Sequence, residues 1–323
     1  MNFFLFFALL FPPNFDEGML YNSSSNNLET VQDRKIFSLY KNIYEKELLC
    51  TERAEGIPRI LHFIWLGSTP YSEKSTLLLK QWRKKHPGWQ IFFWTDNSRV
   101  VPKIEGIVVR KVEDFSFLYL KKPFEEAQSP AERSAILRCE ILFREGGVYL
   151  DHDTECIAPI DPMNLRFDFY CPVALVEKTF LGTSVQSLGY CLAATLHHPI
   201  LGEMLHWLST NWEKVKDSFS STDPEVRESR LEHLRILPLQ RAIEEKAGTR
   251  DLVIPLRHLE KFIVHHSFGS WKEQEDEATE AFKAKLFSVK NRENTLSWIL
   301  LALVLSSFFI VILTLRKKYA MQK

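Results

Sequence analysis

The sequence lacks an excess of charge of either sign: among 323 residues, 41 Lys and Arg stand against 41 Asp and Glu. A protein that binds nucleic acid by neutralising phosphates carries a basic surplus or stripe, so no nucleic-acid partner is expected. Cysteine is sparse. Cys50, Cys139, Cys156, Cys171 and Cys191 are odd in number, well separated and free of any C-x-x-C pair, which excludes a disulfide framework and a zinc site. Glycine, at 12, and proline, at 15, are too few for collagen-like or low-complexity character. What is present is 45% apolar and 25% charged, the composition of a folded globular chain rather than a disordered one. No internal repeat is visible, and the length suits one large domain with appendages.

Long apolar runs are rare, with one exception. Leu296 to Leu315 contains no charged residue over twenty positions, and a helix of that length spans roughly 30 Å, the thickness of a bilayer's hydrocarbon core. Arg316, Lys317 and Lys318 follow it and Trp298 lies near its other end, as expected for a single-pass membrane helix with interfacial anchors. Its orientation stays open, because Lys283, Lys285, Lys290 and Arg292 make the preceding flank basic as well. Near the N-terminus, Phe3 to Phe11 is apolar but halted by Pro12 and Pro13, with no Lys or Arg before it. That is too short to span a bilayer and a poor signal peptide, so a degenerate signal, an interfacial anchor and a plain hydrophobic arm remain alternatives.

From Ile57 onward, short apolar runs alternate with helical spacing. Ile60–Trp65, Gln90–Thr95, Val148–Leu150, Phe169–Val176, Tyr190–Ala194, Val253–Leu256 and Phe262–His265 read as strands. Lys74–Lys85, Pro130–Glu145, Pro199–Trp212 and the region around Glu225–Ala247 read as helices. This alternation predicts an α/β sandwich around a mostly parallel sheet. The expected organisation is an apolar segment and linker over 1–56, a catalytic-type domain over 57–271, a charged connector over 272–295, the membrane helix over 296–315 and a basic tail over 316–323.

The stretch from Ser129 to Glu155 is the most informative. Asp151 and Asp153 stand two apart at a strand end, where alternate residues of an extended chain point to the same side. The carboxyl ends of strands are where open α/β sheets bind ligands, and two carboxylates there suit a divalent cation shared with substrate phosphates. Gly146-Gly147 permits a tight helix-to-strand turn that brings Arg138 toward Asp151. His265 and His266 follow another strand and are candidate ligands that would favour Mn2+ over Mg2+. The run Gly147–Thr154 also fits a D-x-D-x-T phosphatase signature, with Asp151 as nucleophile and Asp153 as general acid, although no G-D-x-x-x-D follows it.

Arg138 through Asp153, as R-x3-L-x3-G-G-x-Y-x-D-x-D, resembles the core of the DXD sugar transferases: yeast-type mannosyltransferases, α-1,4-galactosyltransferases and clostridial glucosylating toxins. Ile57–Gly67 resembles their opening strand, Pro87–Asp96 their second strand, and His265–Trp271 their closing histidine and Ser-Trp segment. The resemblance implies a GT-A (Rossmann-like) fold, a UDP-hexose or GDP-mannose donor, Mn2+ dependence and transfer with retention of configuration. Carried over residue by residue, it places Trp65 and Tyr149 at the nucleotide, and Arg138 at the sugar or diphosphate. Asp151 and Asp153 would lie at the metal, with His265 or His266 closing the site and Trp271 near the leaving diphosphate. One position departs: where the family has Ser-Asp ahead of the arginine, this chain has Ser134-Ala135. Ser134 is retained as a candidate donor contact. Glu132, three residues before Ala135 on one helix face, is the candidate substitute for the missing acid. The membrane helix makes the lipid bilayer a partner and a glycolipid, glycan or protein acceptor the expectation. The loss at Ala135 leaves a catalytically silent sugar-nucleotide binder as the competing reading.

Overall fold

In the computed structural model of the chain, the described residues are 14–20, 28, 30–47, 50–67, 70–96, 101–176, 180–220 and 224–268. The expected membrane helix at 296–315 and Trp271 lie outside them. Among the described residues, no helix is long and apolar enough to cross a membrane. Two compact units divide the chain, Met1–Ser267 and Phe268–Lys323, and the sheet and candidate site belong to the first.

The main sheet begins with β1 (Ile60–Ile64), β2 (Gln90–Thr95), β3 (Ile107–Lys111) and β4 (Gly147–Leu150), which lie in the order β3-β2-β1-β4 and are all parallel. β1 and β4 are near-continuous apolar runs, the pattern of strands covered on both faces. Beyond β4 the sheet departs from expectation. β8 (Cys191–Ala194) pairs antiparallel with β4, and β6 (Phe169–Leu175) antiparallel with β8 and with β7 (Val185–Ser187). β9 (Asp251–Pro255) returns parallel to β6. The sheet is therefore mixed, with four parallel and three antiparallel pairings among the described residues. Local periodicity identifies a strand but not its direction, which is set by the path of the connections. β5 (Thr154–Cys156) and β10 (Ile263–His265) leave the main sheet and form a separate antiparallel ribbon.

Six helices of ten or more residues occur among the described residues: α1 (Val31–Glu47), α2 (Glu73–Lys85), α3 (Pro130–Glu145), α4 (Pro199–Ser218), α5 (Pro224–Arg235) and α6 (Leu237–Lys246). α1 falls in the stretch read from sequence as linker, yet Ile36, Tyr40 and Tyr44 are fully buried, and the Tyr44 hydroxyl meets His258 Nδ1 at 2.7 Å. The helical region around Glu225–Ala247 is two helices, since Pro238 within the first turn of α6 leaves no amide to continue α5. α3 has a well-formed start. The Ser129 hydroxyl accepts from the Glu132 amide and Pro130 occupies the first turn. It ends at Gly146 and Gly147, whose φ values of 64° and 97° favour glycine, and a Cβ on Gly147 would lie 2.7 Å from the Ile60 carbonyl oxygen.

His62, fully buried on β1, ties this junction together. Its Nε2 lies 3.0 Å from the Gly146 carbonyl and its Nδ1 accepts from Trp94 Nε1 at 3.2 Å. Only the neutral Nε2–H tautomer satisfies both contacts, because a proton on Nδ1 would face the indole N–H. Burial pulls the imidazole down to about 3 against the opposing pull of the Gly146 carbonyl, and the nearby Arg110 charge adds to the depression. The unfolded state then binds a proton first, so stability is present above pH about 6.5 and falls as the pH drops toward about 3. Between about pH 7 and about pH 5 this group accounts for a loss of about 2 kcal/mol. Urea denaturation at the two pH values should show that loss shrinking in His62→Phe, and an unchanged loss would exclude the assignment.

Candidate active site

The two acidic residues face each other through a turn, not through strand alternation. β4 ends at Leu150, the Asp151 amide still donates to Tyr190 across the sheet at 2.8 Å, and then the chain reverses. The Thr154 amide and hydroxyl both donate to the Asp151 carbonyl, at 3.2 and 2.7 Å. Residues 151–154 thus form a hydroxyl-stapled turn leading into β5. The turn brings Asp151 and Asp153 to one point where two more residues of extended strand would have carried them along the sheet.

β10 then delivers the histidine. It pairs with β5 so that His265 stands opposite Thr154, and the His266 amide donates to the Asp153 carbonyl at 3.1 Å. His265 Nε2 lies 3.1 Å from Asp153 Oδ1 and 3.8 Å from Asp151 Oδ2. Its ring stacks on Tyr190 at 4.4 Å and 4°. One ligand atom from each of Asp151, Asp153 and His265 falls within 4.8 Å of the others. His266 does not join them. Adjacent residues on a strand face opposite sides, and His266 Nε2 meets Glu155 Oε2 at 2.9 Å. Of the two candidate histidine ligands, the structure brings only His265 to the carboxylates.

Two carboxylates and an imidazole fit a divalent cation in donor type and spacing. Asp153 is largely buried and Asp151 one-quarter exposed, so the cluster opens on the Asp151 side. Burial disfavours the His265 imidazolium, but the Asp153 hydrogen bond and charge, with Asp151 behind them, outweigh it and raise the pKa above its ordinary value. A cation ligated by the three groups would compete with a proton on the imidazole.

α2 braces this turn along one face. Ser75 Oγ contacts His152 Nδ1 at 2.8 Å, Trp82 Nε1 donates to the Thr154 carbonyl at 2.9 Å, and Lys85 Nζ donates to the Cys156 and Ile157 carbonyls at 2.6 and 2.7 Å. The spacing of Ser75, Trp82 and Lys85 keeps them on a single stripe. His152, between the two aspartates, also packs edge-on against Trp65 at 4.6 Å. Trp65 therefore sits beside the acidic turn at the end of β1, where Tyr71 packs against it at 5.4 Å.

Tyr149 is buried, and its hydroxyl donates to Asp151 Oδ1 at 2.6 Å, so it orients this carboxylate. The Arg138 guanidinium lies 5.3 Å from the Tyr149 ring and donates from Nη1 to the Gly189 carbonyl at 2.6 Å. A Cβ at Gly189 would sit 2.5 Å from Arg138 Nη2, so a side chain there would have to push the guanidinium aside. Arg138 Nε and Nη2 are shielded from solvent without a hydrogen-bond partner among the described residues.

Glu132 has a different place from the one its sequence position suggested. Its Oε1 accepts from Arg230 Nε at 3.0 Å and its Oε2 from the Gln128 amide at 2.9 Å, with both charged side chains buried. The carboxylate closes the start of α3 and holds α5, so both of its oxygens are engaged within the protein. Ser134 is half-buried one turn before Arg138, and Ala135 is buried. Sequence reasoning did not single out His152, Tyr190, Ser75 or Gly189. His152 was accessible as the central residue of D-H-D, whereas nothing local marks the others.

Against known proteins, residues 72–170 match the family described as "Glycosyltransferase sugar-binding region containing DXD motif". Asp151-His152-Asp153 is the D-x-D within that range. The D-x-D-x-T stretch that suggested a phosphatase lies inside the matched range, which does not favour that alternative. The chain is 30% identical over 161 residues to inositol phosphoceramide mannosyltransferase 1 of Schizosaccharomyces pombe, covering 48% of this chain and 44% of that protein. It is 31% identical over 128 residues to subversion of eukaryotic traffic protein A of Legionella pneumophila, covering 35% and 20%. The chain thus spans less than half the length of these relatives. Among solved structures, the catalytic domain of alpha-toxin from Clostridium novyi aligns over 76% of this chain and 73% of that one, at 11% identity and a TM-score of 0.41.

Proposed function

We propose that the protein is a metal-dependent glycosyltransferase of GT-A type that moves a hexose from a nucleotide sugar to a glycan, glycolipid or protein acceptor. The observation that carries this reading is the convergence of Asp151, Asp153 and His265 within 4.8 Å, beside an arginine with unused donors, inside a sugar-binding region of this kind. Asp151, Asp153 and His265 would hold Mn2+ or Mg2+, which supplies positive charge for the diphosphate that departs in glycosyl transfer. Arg138, 5.3 Å from the Tyr149 ring, would add donors for the same developing charge. Tyr149 holds Asp151 in one rotamer, and Trp65 offers an aromatic face near the turn for a nucleobase. The resemblance of residues 138–153 to retaining transferases supports retention. The apolar run 296–315 supports a single-pass membrane anchor and hence a membrane-associated acceptor, as does the name of the yeast relative, which acts on a ceramide-linked inositol phosphate.

A panel of UDP-glucose, UDP-galactose, UDP-N-acetylhexosamines and GDP-mannose, incubated with the full-length protein and Mn2+, tests the reading. At least one donor should be hydrolysed in a chelator-sensitive manner. Binding of a donor without turnover would instead favour the silent sugar-nucleotide binder, for which the replacement of the family's aspartate by the buried Ala135 is the supporting observation. Neither binding nor hydrolysis of any donor would end both readings.

A further inference from the structure

The family match ends at residue 170, yet the acidic cluster leans on a residue beyond it. Tyr190 stands immediately before β8 and continues its register with β4, in which Leu150 pairs with Cys191. The next pair outward is Asp151 with Tyr190, joined by the Asp151 amide donating to the Tyr190 carbonyl at 2.8 Å. Residues opposite each other on antiparallel strands send their side chains to the same face, and on that face the phenol ring meets His265. The two rings lie 4.4 Å apart and 4° from parallel. Tyr190 is buried, and 23% of the His265 side chain is exposed. Gly189, one residue earlier, accepts from Arg138 Nη1 at 2.6 Å. Two consecutive residues outside the matched range thus touch Arg138, Asp151 and His265.

An imidazole ligates a cation in the plane of its ring, along the lone pair of one nitrogen. The histidine torsion about Cβ–Cγ is broad, so the ring plane is not fixed by the side chain itself. Turning that bond swings Nε2 away from Asp153 Oδ1, which it meets at 3.1 Å. Two contacts oppose the turn. Ser267 Oγ lies 3.2 Å from His265 Nδ1, where a hydroxyl can accept the Nδ1 proton and leave Nε2 for a cation. That contact is exposed, and water replaces an exposed partner at little cost. Water cannot replace the buried Tyr190 ring, whose flat face sets the imidazole plane. The Tyr190 hydroxyl is shielded and makes no hydrogen bond among the described residues, so the restraint comes from the ring and not from its polar tip.

We propose that Tyr190 is a positioning residue that holds the His265 imidazole in the plane needed to ligate a divalent cation together with Asp151 and Asp153. This role rests on the metal-dependent glycosyltransferase reading, and it is exerted through His265 rather than on the substrate.

Titration of Mn2+ alone into the full-length protein, with electron spin echo spectroscopy of the bound ion, tests the role. The nitrogen of a ligated imidazole modulates the Mn2+ echo, so the spectrum reports His265 directly. Tyr190→Leu should weaken Mn2+ binding by about tenfold or more, as residues that orient a metal ligand do, and should reduce the nitrogen modulation. Tyr190→Phe should retain both. In a His265→Ala background, Tyr190→Leu should cost no further affinity. Tyr190→Met carries the same test should Tyr190→Leu not fold. Unchanged affinity and modulation in a folded Tyr190→Leu, whatever its melting temperature, make Tyr190 a packing residue and overturn the proposal. So do equal losses in Tyr190→Phe, a further loss in the His265→Ala background, or an echo without nitrogen modulation in the parent protein. Tyr190-dependent modulation without turnover of any nucleotide sugar keeps the positioning role and removes the transferase reading. Chelator-sensitive turnover with unchanged modulation in Tyr190→Leu does the reverse, and absence of Mn2+ binding in the parent protein ends both.

Discussion

Asp153→Asn is expected to reduce metal-dependent donor turnover by about a thousandfold or more while leaving the fold in place. The substitution keeps the shape of the side chain and removes one charge from a three-atom cluster whose members lie within 4.8 Å. Asp153 is the better target of the two aspartates. It is the more deeply buried and has the closer contact to His265, at 3.1 Å. Asp151 is additionally held by Tyr149, so changing it also releases a buried hydroxyl. Titration of Mn2+ into Asp153→Asn should show loss of binding, and circular dichroism should match the parent protein. Turnover near the parental level in a folded Asp153→Asn would exclude the cluster as the catalytic centre.

The second large effect concerns stability. Arg230→Ala should lower the unfolding free energy by about 3–5 kcal/mol, because it leaves the Glu132 carboxylate buried opposite an empty space. Arg230 is fully buried, pairs with Glu132 at 3.0 Å, and lies over the Trp212 ring at 5.4 Å. Replacing both partners, as Glu132→Leu with Arg230→Met, should recover most of the loss, since apolar groups of similar volume need no pairing. Urea midpoints of the two single variants and the double variant measure this directly. Glu132→Gln, which retains an oxygen for the Gln128 amide, should be destabilised yet hold its donor KM at temperatures where it stays folded. A selective rise in donor KM there would return Glu132 to the sugar site.

That reversal illustrates how far local sequence reaches. The face shared by Glu132, Ala135 and Arg138 follows from helical geometry, and the start of α3 at Ser129-Pro130 and its stop at Gly146-Gly147 were legible from capping chemistry. What Glu132 touches was not legible, because its partner lies 98 residues away on α5. The histidines repeat the lesson. A pair at a strand end was visible, but choosing between them required the ribbon register that sets His265 opposite Thr154 and turns His266 toward Glu155. For the aspartates the expectation held in its result and failed in its route, since a turn stapled by Thr154 converges them.

By itself the sequence determined the chemistry on offer: a D-x-D after an apolar strand, an arginine one helix upstream, a distant histidine pair and an α/β alternation. Those features depend on side-chain type and on contacts within a few residues, which hydrophobic period, caps and glycine turns govern. Only the tertiary structure decided strand direction beyond β4, which imidazole meets the carboxylates and the commitment of Glu132 to Arg230. Each of these joins segments tens of residues apart or more. Such contacts are selected by packing and burial of the whole chain, and no local pattern encodes them.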